Sequence, residues 1–431
     1  MAYFDKNNLL CENQFGFRSK RSTEDAVLVF HDMAKQMLNQ RQTPFAIFMD
    51  LSKAFDTLDH GILLKKLEFY GFSPDALRLM ASYLSDRHQY IDLSGITSGL
   101  QRVGIGVPQG SVLGPPLFLI YVNDLPRSTA LLNSVLFADD TNLLSSFTSF
   151  IANDRIDMAQ INAELNKVYQ WLSANKLSLN VSKTKYMVFS NKLDRNPTAI
   201  EKPEINQIKL QLVKQFDFLG ITIDSELSWK PHATKVCGRI SRTLGVMKKI
   251  KRFAPPEVMK MLYQSLILPH LNYGIKAWGF AHPRVFNIQK KAIRIMTNRN
   301  INSHTDPIFK DEKLLKVEDI FKLNCLKMHY RIENESCAPY FSSLFVRNWT
   351  VHHYATRARE VRVMHPNFQT HKNCLRYYLP VLIREIPDSI LAKMFETTMA
   401  TFKTTLKSYF VNQYSGVCMK HVCLTCGRLP Y

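Results

Sequence analysis

Asp139 and Asp140 are adjacent in Ser134-Val135-Leu136-Phe137-Ala138-Asp139-Asp140-Thr141-Asn142-Leu143-Leu144. The apolar runs on either side read as the two strands of a hairpin over 135–145. Neighbouring like charges repel, and each raises the cost of ionising the other. A hairpin tip that carries both is therefore a natural place for a cation. A solvated Asp-Asp turn is the plain alternative, because aspartate favours turns. Asp50 repeats the arrangement, ending the apolar run Phe45-Ala46-Ile47-Phe48-Met49, which reads as a buried strand. If these strands are neighbours in one sheet, Asp50 faces Asp139. Their carboxylates then offer the oxygen ligands that hard cations such as Mg²⁺ take. Two such ions about 4 Å apart serve phosphoryl transfer, activating an attacking oxygen and stabilising a leaving one.

A sheet with packed helices must position these groups. Ala26, Val27, Phe30, Ala34 and Leu38 share a face over 24–39, with Thr23 as cap. Residues 60–70 and 74–84 read as amphipathic helices around Gly71, and 88–93 and 101–107 as strands. Pro108-Gln109-Gly110-Ser111 is a turn into an apolar helix that ends near Leu125. Ile161, Leu165, Val168 and Leu172 make 154–175 a helix, and strands come next at about 186–190 and 216–223. The order αβααββαββαββ implies an α+β fold with helices on one side of the sheet.

Beyond residue 230 the periodicity is helical. Three apolar stripes recur: Val236, Ile240, Leu244 and Met247; then Val258, Leu262 and Leu266; then Val285, Ile288, Ala292 and Ile295. Weak linkers fall at 191–209 and 298–308.

Charge separates the two halves. The formal net charge is +20. Residues 1–200 hold 20 Lys and Arg against 19 Asp and Glu, whereas 201–431 hold 36 against 17. The peak lies at 230–299, with 15 basic side chains and a single acid, Glu257. Solvated helix faces usually mix both signs, so this bias points to a polyanion partner beside the acidic site. No apolar run approaches the roughly 18–20 residues of a membrane helix. The opening residues lack the basic-then-apolar build of a secretory leader. Five of the eight cysteines are scattered, which suits a reducing compartment.

Six segments, in order, resemble a known family. Phe48-Met49-Asp50-Leu51-Ser52-Lys53-Ala54-Phe55-Asp56, Gly106-Val107-Pro108-Gln109-Gly110-Ser111-Val112-Leu113-Gly114-Pro115 and Phe137-Ala138-Asp139-Asp140 resemble motifs A, B and C of reverse transcriptases. The variant is similar to that of non-LTR (LINE-type) retrotransposons. Gln14-Phe15-Gly16-Phe17-Arg18 with Ser22-Thr23 resembles the early finger-palm motif. Leu179-Asn180-Val181-Ser182-Lys183-Thr184-Lys185 resembles motif D, and Phe218-Leu219-Gly220-Ile221 resembles the primer grip.

The resemblance implies an RNA-directed DNA polymerase that extends a primer 3′-OH with dNTPs on an RNA template. Its fold would be a right hand. Partial fingers and palm would span 1–225, a basic helical thumb 226–300, and a mostly helical region 301–431. Asp50 and Asp139 would bind two Mg²⁺ ions, with Mn²⁺ as the substitute and Asp140 in support. Phe55 would be the gate against a 2′-hydroxyl, and Gln109 and Gly110 would line the nucleotide pocket. Lys183, ahead of Lys185, would protonate departing pyrophosphate. Arg18 would help hold the triphosphate, and Phe218, Leu219 and Gly220 would hold the primer end. The implied compartment is intracellular, with the nucleus favoured.

Against the family pattern, nothing before Gln14 resembles an endonuclease or the fingers segment that precedes this motif. The chain therefore reads as an N-terminally truncated member. Two other readings stand beside the enzyme: an inactive remnant that binds nucleic acid through the basic thumb, and another palm polymerase, such as a group II intron maturase or an RNA-dependent RNA polymerase. Phe55 and the Phe-Ala-Asp-Asp motif speak against RNA synthesis, and the long basic C-terminal region without a maturase pattern speaks against the intron reading. Cys418, His421, Cys423 and Cys426 form a cramped cluster. Zn²⁺ and reduced, unpaired thiols are its two readings.

Overall fold

Thr43–Met49 (β1) is buried at six of its seven positions, which requires cover on both faces of the sheet. On one face Phe48 stacks on Phe30 of helix Thr23–Asn39 (α1), with ring centroids 5.7 Å apart, and Phe189 meets the same ring at 6.0 Å. On the other face Phe45, Ile47 and Met49 join a core with Leu63, Leu67, Leu117, Phe118, Ile161 and Leu165. Those partners lie on His60–Phe69 (α2), Gly114–Tyr121 (α4) and Met158–Ala174 (α5), while Pro74–Leu84 (α3) packs beside α2. The one-sided helical layer expected from the sequence is thus corrected. Successive residues of β1 point to opposite faces, and an unbroken apolar run leaves neither face for water.

The computed structural model describes residues 2–147, 158–190, 201–279, 283–345, 366–367, 372 and 374–415. Contacts divide the chain into two units, Met1–Lys214 and Gln215–Tyr431. In the first unit five strands are ordered β5-β4-β1-β3-β2, where β2 is Asn133–Phe137, β3 Asp140–Phe147, β4 Lys185–Val188 and β5 Gln211–Leu212. All neighbours are antiparallel except β4 and β5. Side chains fix the helix starts. Ser22, one residue before the expected cap, accepts from the Asp25 N–H at 3.2 Å, and Asp59 accepts from that of Ile62 at 2.9 Å.

The second unit opens with a hairpin, Gln215–Phe218 (β6) and Ile221–Asp224 (β7), where a single strand is expected from sequence. Leu219 and Gly220 form its turn with φ of 48° and 77°, the doubly left-handed pair that suits the twist of a two-residue hairpin. Lys230–Ile250 (α6) buries Val236, Ile240, Leu244 and Met247, as its spacing predicts. Pro256–Leu266 (α7) instead buries Met259 and Tyr263 and leaves Leu266 exposed. Pro283–Met296 (α8) packs on α6 and also on Val317–Glu333 (α9), so helices on both sides of residue 300 share one core. Among the described residues no helix is long and apolar enough to cross a membrane.

Candidate active site

Backbone pairing gathers the acidic residues. Met49 pairs with Thr141 and Phe137 with Asp140. Continuing the register by one residue sets Asp50 across from Asp140, not Asp139 as the sequence suggests, because Asp139 belongs to the turn. The turn itself is unusual: Ala138, a residue with a Cβ, has a φ of 54°. The buried Gln14 side chain accepts the Ala138 N–H at 2.9 Å and that of Gly16 at 2.8 Å.

The other end of the site is laced to residues 178–184. The Asp50 carbonyl accepts from Asn180 N–H at 2.8 Å, and Ser52 N–H donates to the Ser178 carbonyl at 2.8 Å. This places Lys183 Nζ 3.9 Å from Asp50 Oδ2, with 70% of its side chain exposed. Lys185, the second candidate, is occupied elsewhere: its ammonium donates to the Ser182 carbonyl at 2.6 Å and to Gln211 Oε1 at 2.7 Å.

The Asp140 carboxyl is pushed up to about 6 by burial and then by the negative charges of Asp139 and Asp50. Asp140 as a residue is exposed, so the repulsion from its two neighbours is the part that a bound cation would cancel. Among the described residues, no three Asp, Glu, His or Cys side chains converge closely enough to grip a metal ion as they stand. The donor chemistry nonetheless fits hard cations: carboxylate oxygens only, in mutual repulsion.

Motif A and motif B are built against each other. Val107 N–H donates to the Phe55 carbonyl at 2.9 Å and Gly106 N–H to that of Leu58 at 2.7 Å. A Cβ on Gly106 would stand 2.5 Å from the Asp56 carbonyl oxygen, so only glycine allows this approach. Gln109 Nε2 donates to Asp56 Oδ1 at 2.8 Å. Gly110 has a φ of 77° and open space where a Cβ would be. Phe55 is half-buried, stacked on Phe118 at 4.3 Å and met edge-on by Phe17 at 6.4 Å. Phe17 is 55% exposed. In the sequence Phe17, Gln14 and Asp56 stand out only as members of motifs. Their signal is a position beside a glycine or a matched motif residue.

Two groups of site residues are placed differently from expectation. The Arg18 guanidinium donates to the Cys11 carbonyl at 2.7 Å and pairs with Asp5 at 3.1 Å, leaving 9% of its side chain exposed. Phe218 is 2% exposed and belongs to the core of the second unit. Gly220 is exposed, and the Leu219 carbonyl accepts from the Tyr273 hydroxyl at 2.6 Å. Cys418, His421, Cys423 and Cys426 lie outside the described residues.

Carboxylates grouped for hard cations, on a sheet flanked by helices, describe a large class of phosphate-handling sites. Residues 2–223 match the reverse transcriptase (RNA-dependent DNA polymerase) family. The chain belongs to that family, and its resemblance to the non-LTR branch holds. It is 26% identical over 322 residues to the RNA-directed DNA polymerase from mobile element jockey of Drosophila melanogaster, covering 71% of this chain and 34% of that protein. It is 28% identical over 328 residues to a probable RNA-directed DNA polymerase from transposon BS of the same organism, covering 70% and 35%. The chain thus spans about a third of the length of these curated relatives. A structure of apo telomerase from Candida tropicalis aligns over 78% of this chain and 57% of that one, at 12% identity and a TM-score of 0.40.

Proposed function

We propose that the chain is an RNA-directed DNA polymerase that adds deoxynucleotides to a primer 3′-OH on an RNA template. The observation that carries this reading is the meeting of Asp50 with the Asp139–Asp140 hairpin, inside the segment that matches the family. Asp50 and Asp139 would hold two Mg²⁺ ions, with Asp140 in support. Mg²⁺ there would supply a Lewis acid for the attacking and leaving oxygens.

The chain's own residues do the rest. Lys183, exposed and beside Asp50, donates a proton to the departing pyrophosphate. Phe55, braced by Phe118, presents its open side to the sugar and excludes a 2′-hydroxyl. Gly110 leaves room for the nucleotide, and Gln109 is oriented by Asp56. Arg18 acts as a brace for the segment before α1 rather than as a phosphate contact, since its guanidinium is engaged with Cys11 and Asp5. The backbone of Leu219 and Gly220 takes the primer end, with Phe218 as the anchor beneath it. In the second unit Lys248, Lys251, Arg284, Lys291, Arg294 and Arg299 line a cavity of about 740 Å³ between α6 and α8, and among the described residues no acid lines it. Such a groove suits a phosphate backbone without reading its sequence.

The test is extension of oligo(dT) on poly(rA) with dTTP and Mg²⁺. Extension is expected, and Asp50→Ala and Asp139→Ala should each abolish it. Salt-sensitive binding of the duplex without extension would replace the enzyme with the binding remnant.

A further inference from the structure

We propose that Gln14 is a positioning residue for the Asp139–Asp140 pair, fixing through its side-chain amide the left-handed turn that presents both carboxylates. The inference rests on the polymerase reading of those aspartates. It goes beyond that reading by naming what sets their geometry.

Gln14 is 2% exposed. One side chain addresses both polar groups of one residue: Oε1 accepts the Ala138 N–H at 2.9 Å, and Nε2 lies 3.4 Å from the Ala138 carbonyl. Ala138 is held at a φ of 54°, a region that residues with a Cβ avoid. It is the last residue before Asp139, so its backbone angles aim the two carboxylates. The segment carrying Gln14 is itself pinned to β2. Leu136 N–H donates to the Asn13 carbonyl at 2.9 Å, and Phe15 N–H donates to the Leu136 carbonyl at 2.8 Å. A Cβ on Gly16 would stand 2.4 Å from the Ala138 nitrogen, so the strap runs hard against the turn because residue 16 has no side chain. A plain filler would need volume and no amide. An amide buried here satisfies the Ala138 N–H, which lies in the turn beyond the Phe137–Asp140 pair and has no ladder partner.

Gln14→Leu keeps the volume and deletes both bonds to Ala138 together with the one from the Gly16 N–H. Three quantities are measured in the full chain: hydrogen exchange in the peptide spanning 133–141, Mn²⁺ affinity by electron paramagnetic resonance, and kcat against KM on poly(rA)/oligo(dT). Expected are exchange faster by tenfold or more, Mn²⁺ affinity weaker by about tenfold, and a fall in kcat with KM for the duplex unchanged. Adding Ala138→Gly should recover part of each loss, because glycine adopts the turn unaided. A filler role would lower the melting temperature alone, so unchanged Mn²⁺ affinity and exchange overturn the proposal. If Gln14→Leu does not fold, Gln14→Asn, one methylene too short to reach, is judged on the same measurements. A wild-type chain that extends no primer defeats the polymerase reading only. Exchange and Mn²⁺ affinity need no turnover and still decide the role of Gln14.

Discussion

Asp140 couples the site to pH. Its carboxyl ordinarily titrates at 3.8 and is pushed up to about 6 in the folded chain. The folded state therefore holds the proton more tightly than the unfolded one. This group's contribution to stability is fully present below the unfolded value and is lost as pH rises through about 6. In metal-free buffer, the wild-type melting temperature should fall across that window more steeply than that of Asp140→Asn. Mg²⁺ at neutral pH should close the gap, since it neutralises the same repulsion. Parallel melting curves for the two proteins would sink the idea. Lys183 belongs to a different test. If it protonates pyrophosphate, Lys183→Ala should slow single-turnover extension by about 10²-fold or more. Lys185→Ala should stay near wild type, because its ammonium is spent on Ser182 and Gln211. Equal losses in both variants would assign the effect to charge in general rather than to Lys183.

Among the elements, the loops rather than the helices carry sharp constraints. Gly106 and Gly110 both have positive φ, but only Gly106 lies against a backbone, that of Asp56. Gly110→Ala should therefore cost only the left-handed backbone term, roughly 1–2 kcal/mol. Gly106→Ala should cost clearly more, because motif B must also lift off motif A. Urea unfolding of the two variants measures the difference, and equal midpoints would contradict the docking. Such constraints explain how far the sequence could be read. The face of α6 was legible because its four apolar residues fall on one helical stripe with basic residues elsewhere. The face of α7 was not: Val258, Leu262 and Leu266 run beside Met259 and Tyr263, and only packing chooses between adjacent stripes. The turn in β6–β7 was hidden because Leu219 is an unlikely occupant of a left-handed position. At the site, Asp50 and Asp139 were legible as carboxylates ending apolar runs. Gln14 was not legible as a site residue, since its partner Ala138 is 124 residues away and a lone glutamine declares no role.

At the scale of the whole molecule, charge is partitioned by unit. The acidic site lies in a first unit of nearly balanced charge, and the excess of Lys and Arg lies in the second. A balanced surface carrying a few carboxylates would repel nucleic acid at the site, so the proposed polymerase reading requires the attraction to come from elsewhere in the chain. The groove between α6 and α8 offers several cations and, among the described residues, no acid. Contacts of this kind release counterions, so the logarithm of affinity should fall linearly with the logarithm of salt, by about 0.9 per phosphate for duplex DNA. Lys248→Ala and Lys291→Ala should each make that slope shallower by about one and weaken all sequences alike. Asp139→Ala should leave the slope unchanged, because a carboxylate engages no phosphate by counterion release. The measurement is fluorescence anisotropy of a labelled hybrid duplex across a salt series. A slope that Lys248→Ala and Lys291→Ala do not move would place the nucleic acid on some other surface of the second unit, and the α6–α8 groove would lose its role.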